Sequence, residues 1–338
     1  MLTERRAAVL WSLIEEYIST ATPVPSQVIA RNYGLGVSPA TIRNEMAQLE
    51  EEGYIYQPHT SAGRVPSPKG YRYYVEALLR EKDLTPEEQR TIRHQFHQVS
   101  RDIDELVRLS AAILSRMLST VAIVTTPRLA EPRLRLLDLI SLKEFSVLLL
   151  LVFQNASFRQ QIISTLQDMS QEDLNTIARK LTALYSGLTG AEIEEREDVL
   201  TDFERQVSTT VLEMMAAEQR ETASVPYLEG IAQLLGQPEF AKAERARLLM
   251  ELLERKDTLN AMLAQAPENA ELRVIIGSEE PSSAFQDLSV VLGRYGAPHR
   301  ASGIVGVVGP MRMQYSKAFS TLRFLSDTMS EIIEQMYD

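Results

Sequence analysis

Between Ser38 and Gln48, one face of an expected helix carries Ala40, Asn44 and Ala47, flanked by Thr41, Arg43 and Gln48. Asn, Gln and Arg present the paired donors and acceptors that base edges need in the major groove of DNA. The small residues among them let such a helix sink into the groove. Asn44 is the strongest candidate for a direct base contact. Arg43 lies nearer the flank, where a phosphate is the more usual partner. The opposite face is apolar: Ile42, Met46 and Leu49 recur at i, i+4 and i+7 and should pack inward. Ser38 is a good N-cap, and Pro39 falls at the first helical position, where a missing N–H costs nothing.

Neighbouring elements must hold that helix. Glu4 to Ser19 reads as a first helix, with Val9, Leu13, Ile14, Tyr17 and Ile18 at helical spacing. Val28 and Ile29 anchor a short second helix, and Gly34-Leu35-Gly36 supplies a sharp turn. Gly53 is a helix stop. Tyr54-Ile55-Tyr56 is then a short strand signal, Gly63-Arg64-Val65 its return, and HTSAG a polar tip. From Gly53 to Val75 no residue is acidic, while Arg64, Lys69 and Arg72 are basic. That wing can approach a phosphate backbone without repulsion. His59, Thr60 and Ser61 form either an ordinary polar turn or a phosphate or minor-groove contact. Tyr54, Tyr56, Tyr71, Tyr73 and Tyr74 can pack the module or hydrogen-bond to phosphates. Glu50, Glu51 and Glu52 read as solvated charges facing away from DNA. The layout is that of a winged helix-turn-helix, whose common use is major-groove binding.

The net charge of −11 is distributed unevenly over the 338 residues. Residues 1–80 hold 8 Lys/Arg and 8 Asp/Glu, whereas the remainder holds 27 and 38. An acidic body repels DNA and leaves the N-terminal module as the contact face. The absence of cysteine excludes disulfide and thiolate chemistry and suits a cytoplasmic protein. The N-terminus reads as an amphipathic helix rather than a signal peptide. The longest purely apolar run, Val147 to Phe153, is far short of the ~20 residues of a membrane helix and reads as a buried strand.

After a charged connector, Thr85-Pro86-Glu87-Glu88 is a strong helix start. Ile92, Phe96, Val99, Ile103, Leu106, Ile113 and Met117 follow as a heptad-like seam on one long helix, broken at Ser110. That seam either packs within its own domain or faces a partner. Strand signals come next, VAIVTT, LRLLDLISL and SVLLLLVF, with a turn at Lys143-Glu144. A helix capped by Ser170 should end near Gly187, and another should cover about Asp198 to Gln219. LRVIIG, FQDLSVVLGRY and SGIVGVVG read as late strands, and Met313 to Met336 as a final helix. Strand-rich segments on both sides of a helical middle suggest one domain with an insertion.

His94 and His97 could share a metal, but no acidic or cysteine cluster joins them, so a solvated polar face is favoured. Gly303, Gly306 and Gly309 alternate with Val and Ile rather than sitting at a strand-to-helix turn, which favours close strand packing over a phosphate cradle. No nucleophile-elbow, Walker or zinc-hydrolase pattern is present. An enzyme is therefore not expected, nor is a cofactor or a metal.

The run GLGVSPATIRNEMAQLEEEGYIYQPHTSAGRVPSPKGYRYYV, with VPYLEGIAQLLGQPEF and GIVGVVGPMRMQYSKAF further on, resembles the heat-inducible transcription repressor family HrcA. Three separated blocks in one order spread that resemblance over almost the whole chain. It implies an α+β multidomain fold. A winged helix-turn-helix would occupy 1–80, a linker helix and the first part of a GAF-like α/β domain 81–165, a mostly helical inserted dimerisation domain 166–224, and the second part of the GAF-like domain 225–338. It implies DNA contacts at the helix residues and wing residues above, including Ser38, and at Ser26 and Gln27. Pro25-Ser26-Gln27 departs from the family's usual Gly then Ser-Arg at that place, and Met311 stands where Thr is common. The resemblance further implies a homodimer on an inverted-repeat operator ahead of chaperone operons, with activity modulated by the GroEL chaperonin. Palindromic sites mirror a protein two-fold, which independently favours a dimer. The alternative is a winged-helix regulator responding to a small-molecule effector in the GAF-like body, although no convergent polar cluster marks a pocket there.

Overall fold

The computed structural model describes residues 2–59, 62–79, 82–99, 102–129, 132–143, 145–154, 157–165, 169–196, 199–220, 226–267, 269, 271–279, 285–297 and 301–337. The expected turn residue Glu144 and the wing-tip residues Thr60 and Ser61 lie outside these.

The chain opens with α1 (Glu4–Thr20), α2 (Ser26–Asn32) and α3 (Pro39–Glu51). Ser38 caps α3 with Pro39 in its first turn, and Gly53, at φ 77°, follows its end. β1 (Ile55–Tyr56) and β2 (Val65–Pro66) pair antiparallel, with Tyr56 opposite Val65. The return strand thus begins later than Gly63, because Arg64 is taken by a bridge to Val24. α4 (Pro68–Tyr73) continues into a π turn over Tyr74–Leu78. Val9, Leu13, Ile29, Ile42, Met46, Leu49 and Ile55 form the buried heart of this unit.

The seam after it is two helices rather than one, α5 (Pro86–Val99) and α6 (Ile103–Leu118). Asp102 accepts from the backbone N–H groups of Asp104 and Glu105, which starts a new helix inside an uninterrupted apolar spacing. The Thr85–Glu88 capping box is present in both directions. Ile92, Phe96 and Leu106 are buried within the chain, as is Ser110, which donates to the Leu106 carbonyl at 2.7 Å. Val99, Ile103 and Met117 are partly buried against the same core, so the described seam residues pack within the chain.

Then come β3 (Val121–Val124), β4 (Arg128–Leu129), β5 (Leu134–Lys143), β6 (Ser146–Phe153), β7 (Phe158–Ser164), α7 (Gln171–Tyr185), α8 (Gly190–Glu194) and α9 (Asp202–Arg220). They are followed by β8 (Tyr227–Glu229), α10 (Ile231–Leu235), α11 (Ala243–Glu254), α12 (Lys256–Leu263), β9 (Arg273–Ile276), β10 (Leu288–Gly296), β11 (Ala301–Pro310) and α13 (Tyr315–Tyr337). The main sheet has the order β8-β3-β11-β10-β9, antiparallel throughout, with β4 also on β11. Both faces are covered. Ala122, Val124, Val291 and Val305 meet Leu322, Leu325 and Met329 of α13 and Leu114 of α6. Val121, Ile123, Val290 and Ile304 meet Leu249, Leu252, Leu259 and Leu263 of α11 and α12. Strands buried on both sides need apolar residues at every position, which explains their composition.

β5, β6 and β7 form a separate sheet with its own core. Leu137, Leu149, Leu151 and Phe153 pack on Leu174 and Leu181 of α7 and on Val207 and Val211 of α9. These strands share their core with α7 and α9, so this packed unit has residues on both sides of the expected boundary at 166. Val147 to Phe153 is buried only at alternate residues, not throughout. The opposite face of the sheet is apolar and open, with Leu136, Ile140 and Leu142 exposed, Phe158 at 65% and Ile162 at 63%.

The N-terminal unit is seated on the main sheet. Tyr71, Tyr74 and Tyr315 are buried together, with Tyr315 6.1 Å from Tyr71 and 6.3 Å from Tyr74 between ring centroids. Burial drives all three hydroxyls above the ordinary tyrosine value of 10.0, and the bond from Tyr74 to Glu15 adds to its shift. Arg72 reaches Glu279 and the Val274 carbonyl, the latter at 2.9 Å. Arg312 clasps Glu239 and donates to Gln237 at 2.8 Å and to the Ile18 carbonyl at 3.4 Å. Among the described residues, no helix is long and apolar enough to cross a membrane.

Candidate nucleic-acid interface

α3 separates its two faces as its spacing requires. Ile42, Met46 and Leu49 are buried, while Ala40, Arg43, Asn44, Ala47 and Gln48 are exposed. Ser38 Oγ accepts the Thr41 N–H at 3.2 Å and lies 3.0 Å from Thr41 Oγ1. Both hydroxyls thus take part in the cap, which fixes where the outward face begins, and one O–H of the pair is left to donate elsewhere. Among the described residues, nothing pairs with Arg43 or Asn44, so their polar groups are free for a ligand.

Gln48 is different. Its Oε1 accepts from Arg6 Nη2. Arg6, on α1, also donates through Nε to Glu45 at 3.3 Å and pairs with Glu52 through Nη1. One guanidinium thus ties α1 to Glu45 and Gln48 of α3 and to Glu52 just after its end. Arg6 has no apolar-face or capping signature, and only the fold brings it to α3.

The three basic residues of the acid-free window from Gly53 to Val75 are already partnered. Arg64 donates to Glu50 at 3.0 Å. Lys69 donates to the Glu52 carbonyl at 2.7 Å and lies 4.4 Å from the Tyr54 ring centroid. Arg72 is held by Glu279 on the body. The acid-free window is real in sequence, but acids from the end of α3 and from beyond β9 close on it. Glu50 and Glu52 are therefore ion-paired rather than free solvated charges, while Glu51 is exposed.

Ser26 is buried as a residue at the start of α2, while Gln27 is exposed. His59 is exposed at a tip closed by Ala62 N–H to the His59 carbonyl at 2.9 Å and by Gln57 to the Ala62 carbonyl at 2.9 Å. Tyr71 and Tyr74 pack the module and do not reach out. His94 and His97 are exposed on α5, and no three described His, Cys, Asp or Glu residues group as a metal site. A Cβ at Gly303 would strike the Tyr295 ring, and one at Gly306 would meet Leu292 at 2.6 Å. The glycine run therefore serves close packing of β11.

The family profile described as HrcA protein C terminal domain matches residues 104–319. A heat-inducible transcription repressor HrcA of Dehalococcoides mccartyi is 38% identical over 337 residues, spanning 100% of this chain and 97% of the relative. The chain belongs to the HrcA family of heat-inducible transcription repressors. Another member, from Chloroflexus aggregans, is 37% identical over 354 residues, covering 100% of this chain and 94% of its own length. A crystal structure of a hypothetical protein covers 99% of this chain and 98% of its own at a TM-score of 0.59 and 23% identity, a likeness of fold. The HrcA family is one of transcription repressors of the heat-shock response, not of enzymes.

Proposed function

We propose that residues 1–80 are a winged helix-turn-helix that lays α3 in the major groove of an inverted-repeat operator ahead of chaperone operons, with two copies of the chain bound as a homodimer. The observation that carries this is the outward face of α3: Arg43 and Asn44 free and exposed among small residues, on a helix whose inner face is locked in the core. Arg43 supplies phosphate attraction and Asn44 a base contact. Gln27 and His59, both exposed, flank the same unit at α2 and the wing.

A single module buries only about 600–1,000 Å² on DNA, which favours a dimer for tight, specific binding. The open apolar face of β5–β7 supports self-association, since a contiguous patch of that kind marks an interaction site. The main sheet is the GAF-like domain in this account, and 134–220 its dimerisation insert. Family membership supports a cytoplasmic repressor whose activity the GroEL chaperonin maintains. Heat would divert the chaperonin to unfolded clients, and repression would lapse.

Fluorescence anisotropy with the inverted repeat and a scrambled duplex, with and without GroEL, tests this. Binding at least ~10³-fold tighter to the repeat is expected. Equal, salt-sensitive binding to both, GroEL present, refutes it.

A further inference from the structure

Asn44 and Gln48 stand one turn apart on α3, and their side chains carry the same amide. The structure gives them different hydrogen-bonding capacities. Asn44 is exposed with both amide atoms free. Gln48 is exposed, but its Oε1 accepts from Arg6 Nη2. A guanidinium has only donors, so the amide oxygen, not the nitrogen, must face it. Arg6 is itself fixed by Glu45 and Glu52, and its side chain is only 18% exposed. The oxygen is thereby turned toward α1, and the NH₂ group is what remains for a ligand.

We infer that Arg6 is a positioning residue that restricts Gln48 to donating, so that Gln48 selects guanine over adenine at the base pair it meets. This rests on α3 being the groove helix. A free Gln pairs with adenine through two bonds: its oxygen accepts from N6 and its nitrogen donates to N7. With the oxygen held by Arg6, the adenine N6 amino group has no acceptor and stays unsatisfied. Guanine presents O6 and N7 side by side, two acceptors that suit an amide offering only hydrogens. The oxygen has a second lone pair, but presenting it squarely to a base would turn the amide away from Arg6. That would stretch a charge-assisted bond, about twice as strong as the neutral one gained. Asn44 has no such partner and keeps the adenine pairing. Two like amides on one helix would thus read different bases, the difference being set by a residue 42 positions upstream.

The test uses the full chain and a set of operator duplexes in which each base pair is replaced in turn. Gln48→Ala locates the pair that Gln48 reads, as the position where base preference vanishes. Wild type should prefer guanine to adenine there by about tenfold. Arg6→Met frees the oxygen and should erase or reverse that preference, leaving the Asn44 position unchanged. Adenine preferred by wild type at the Gln48 position overturns the inference, and that result is independent of whether Arg6→Met folds. So does a Gln48→Ala variant that loses preference nowhere, or an Arg6→Met variant of unchanged melting temperature that keeps the wild-type preference. If wild type does not distinguish the repeat from a scrambled duplex, the operator reading fails first and this inference falls with it.

Discussion

Replacing Asn44 by Ala should separate recognition from stability. Asn44 is exposed on α3 with no partner among the described residues, so the free protein loses no contact. Ala is also the better helix former, worth roughly 0.5 kcal/mol at an exposed position, so the melting temperature should hold or rise slightly. In the complex, a bidentate base contact would be lost. Its value is about 1–3 kcal/mol, or roughly 5- to 150-fold in operator Kd, with random DNA little affected. Ile42, two residues earlier on the same helix, is the control. It is fully buried in the module core. Ile42→Ala should cost roughly 2–5 kcal/mol of stability through lost burial and a cavity, and should weaken both DNAs alike. Thermal melting and anisotropy on the repeat and a scrambled duplex measure these effects for both variants. Equal losses on both duplexes for Asn44→Ala, or a clear fall in its melting temperature, would refute the assignment of the outward face.

Arg43 is unpaired and Arg64 is held by Glu50, so Arg43→Ala should lower the slope of log K against log salt by about one, while Arg64→Ala should leave it nearly unchanged; the reverse pattern would put the wing, not the helix flank, on phosphate. Ile162→Asp places a charge on the open sheet face and should convert a dimer to monomers in light scattering; an unchanged mass would remove that face from the dimer contact. Gly303→Ala should lower the melting temperature by the equivalent of roughly 1–3 kcal/mol, since the new Cβ runs into Tyr295 in the doubly covered sheet. The buried Tyr71, Tyr74 and Tyr315 hold their protons more tightly folded than unfolded, so the stability they contribute is complete below about pH 10 and is lost as the pH rises further. Melting temperature should accordingly fall from about pH 10 upward, and Tyr71→Phe, which removes a buried hydroxyl with no hydrogen-bond partner among the described residues, should raise it at neutral pH.

Signals that act within one or two turns were legible in the sequence. Ser38 and Gly53 bound α3, Thr85 and Glu88 start α5, and Ser170 and Gly187 bracket α7. Each is a bond or a φ angle set by residues a few positions apart. Distant pairing was not legible. An acid-free window says nothing of Glu50, Glu52 and Glu279, which come from other elements to meet Arg64, Arg6 and Arg72. A continuous apolar spacing from Ile92 to Leu106 hides the cap at Asp102, because the seam keeps its phase across the break between α5 and α6. SVLLLLVF in β6 and SGIVGVVG in β11 both read as apolar strands, yet β6 is fully buried only at alternate residues and β11 at nearly every one. Which sheet a strand joins depends on partners far along the chain, and so the separate β5–β7 sheet escaped the pattern.

The most direct measurement is photocrosslinking from α3 itself. A photoreactive side chain at Ala47, exposed on the outward face, would be introduced into the full chain, with Glu244, exposed on α11, as the comparison position. Crosslinks from Ala47 to major-groove bases in both half-sites of the inverted repeat, and none from Glu244, are the predicted result. No crosslink from Ala47 on a duplex that the chain binds, or crosslinks from Glu244 instead, would contradict the account.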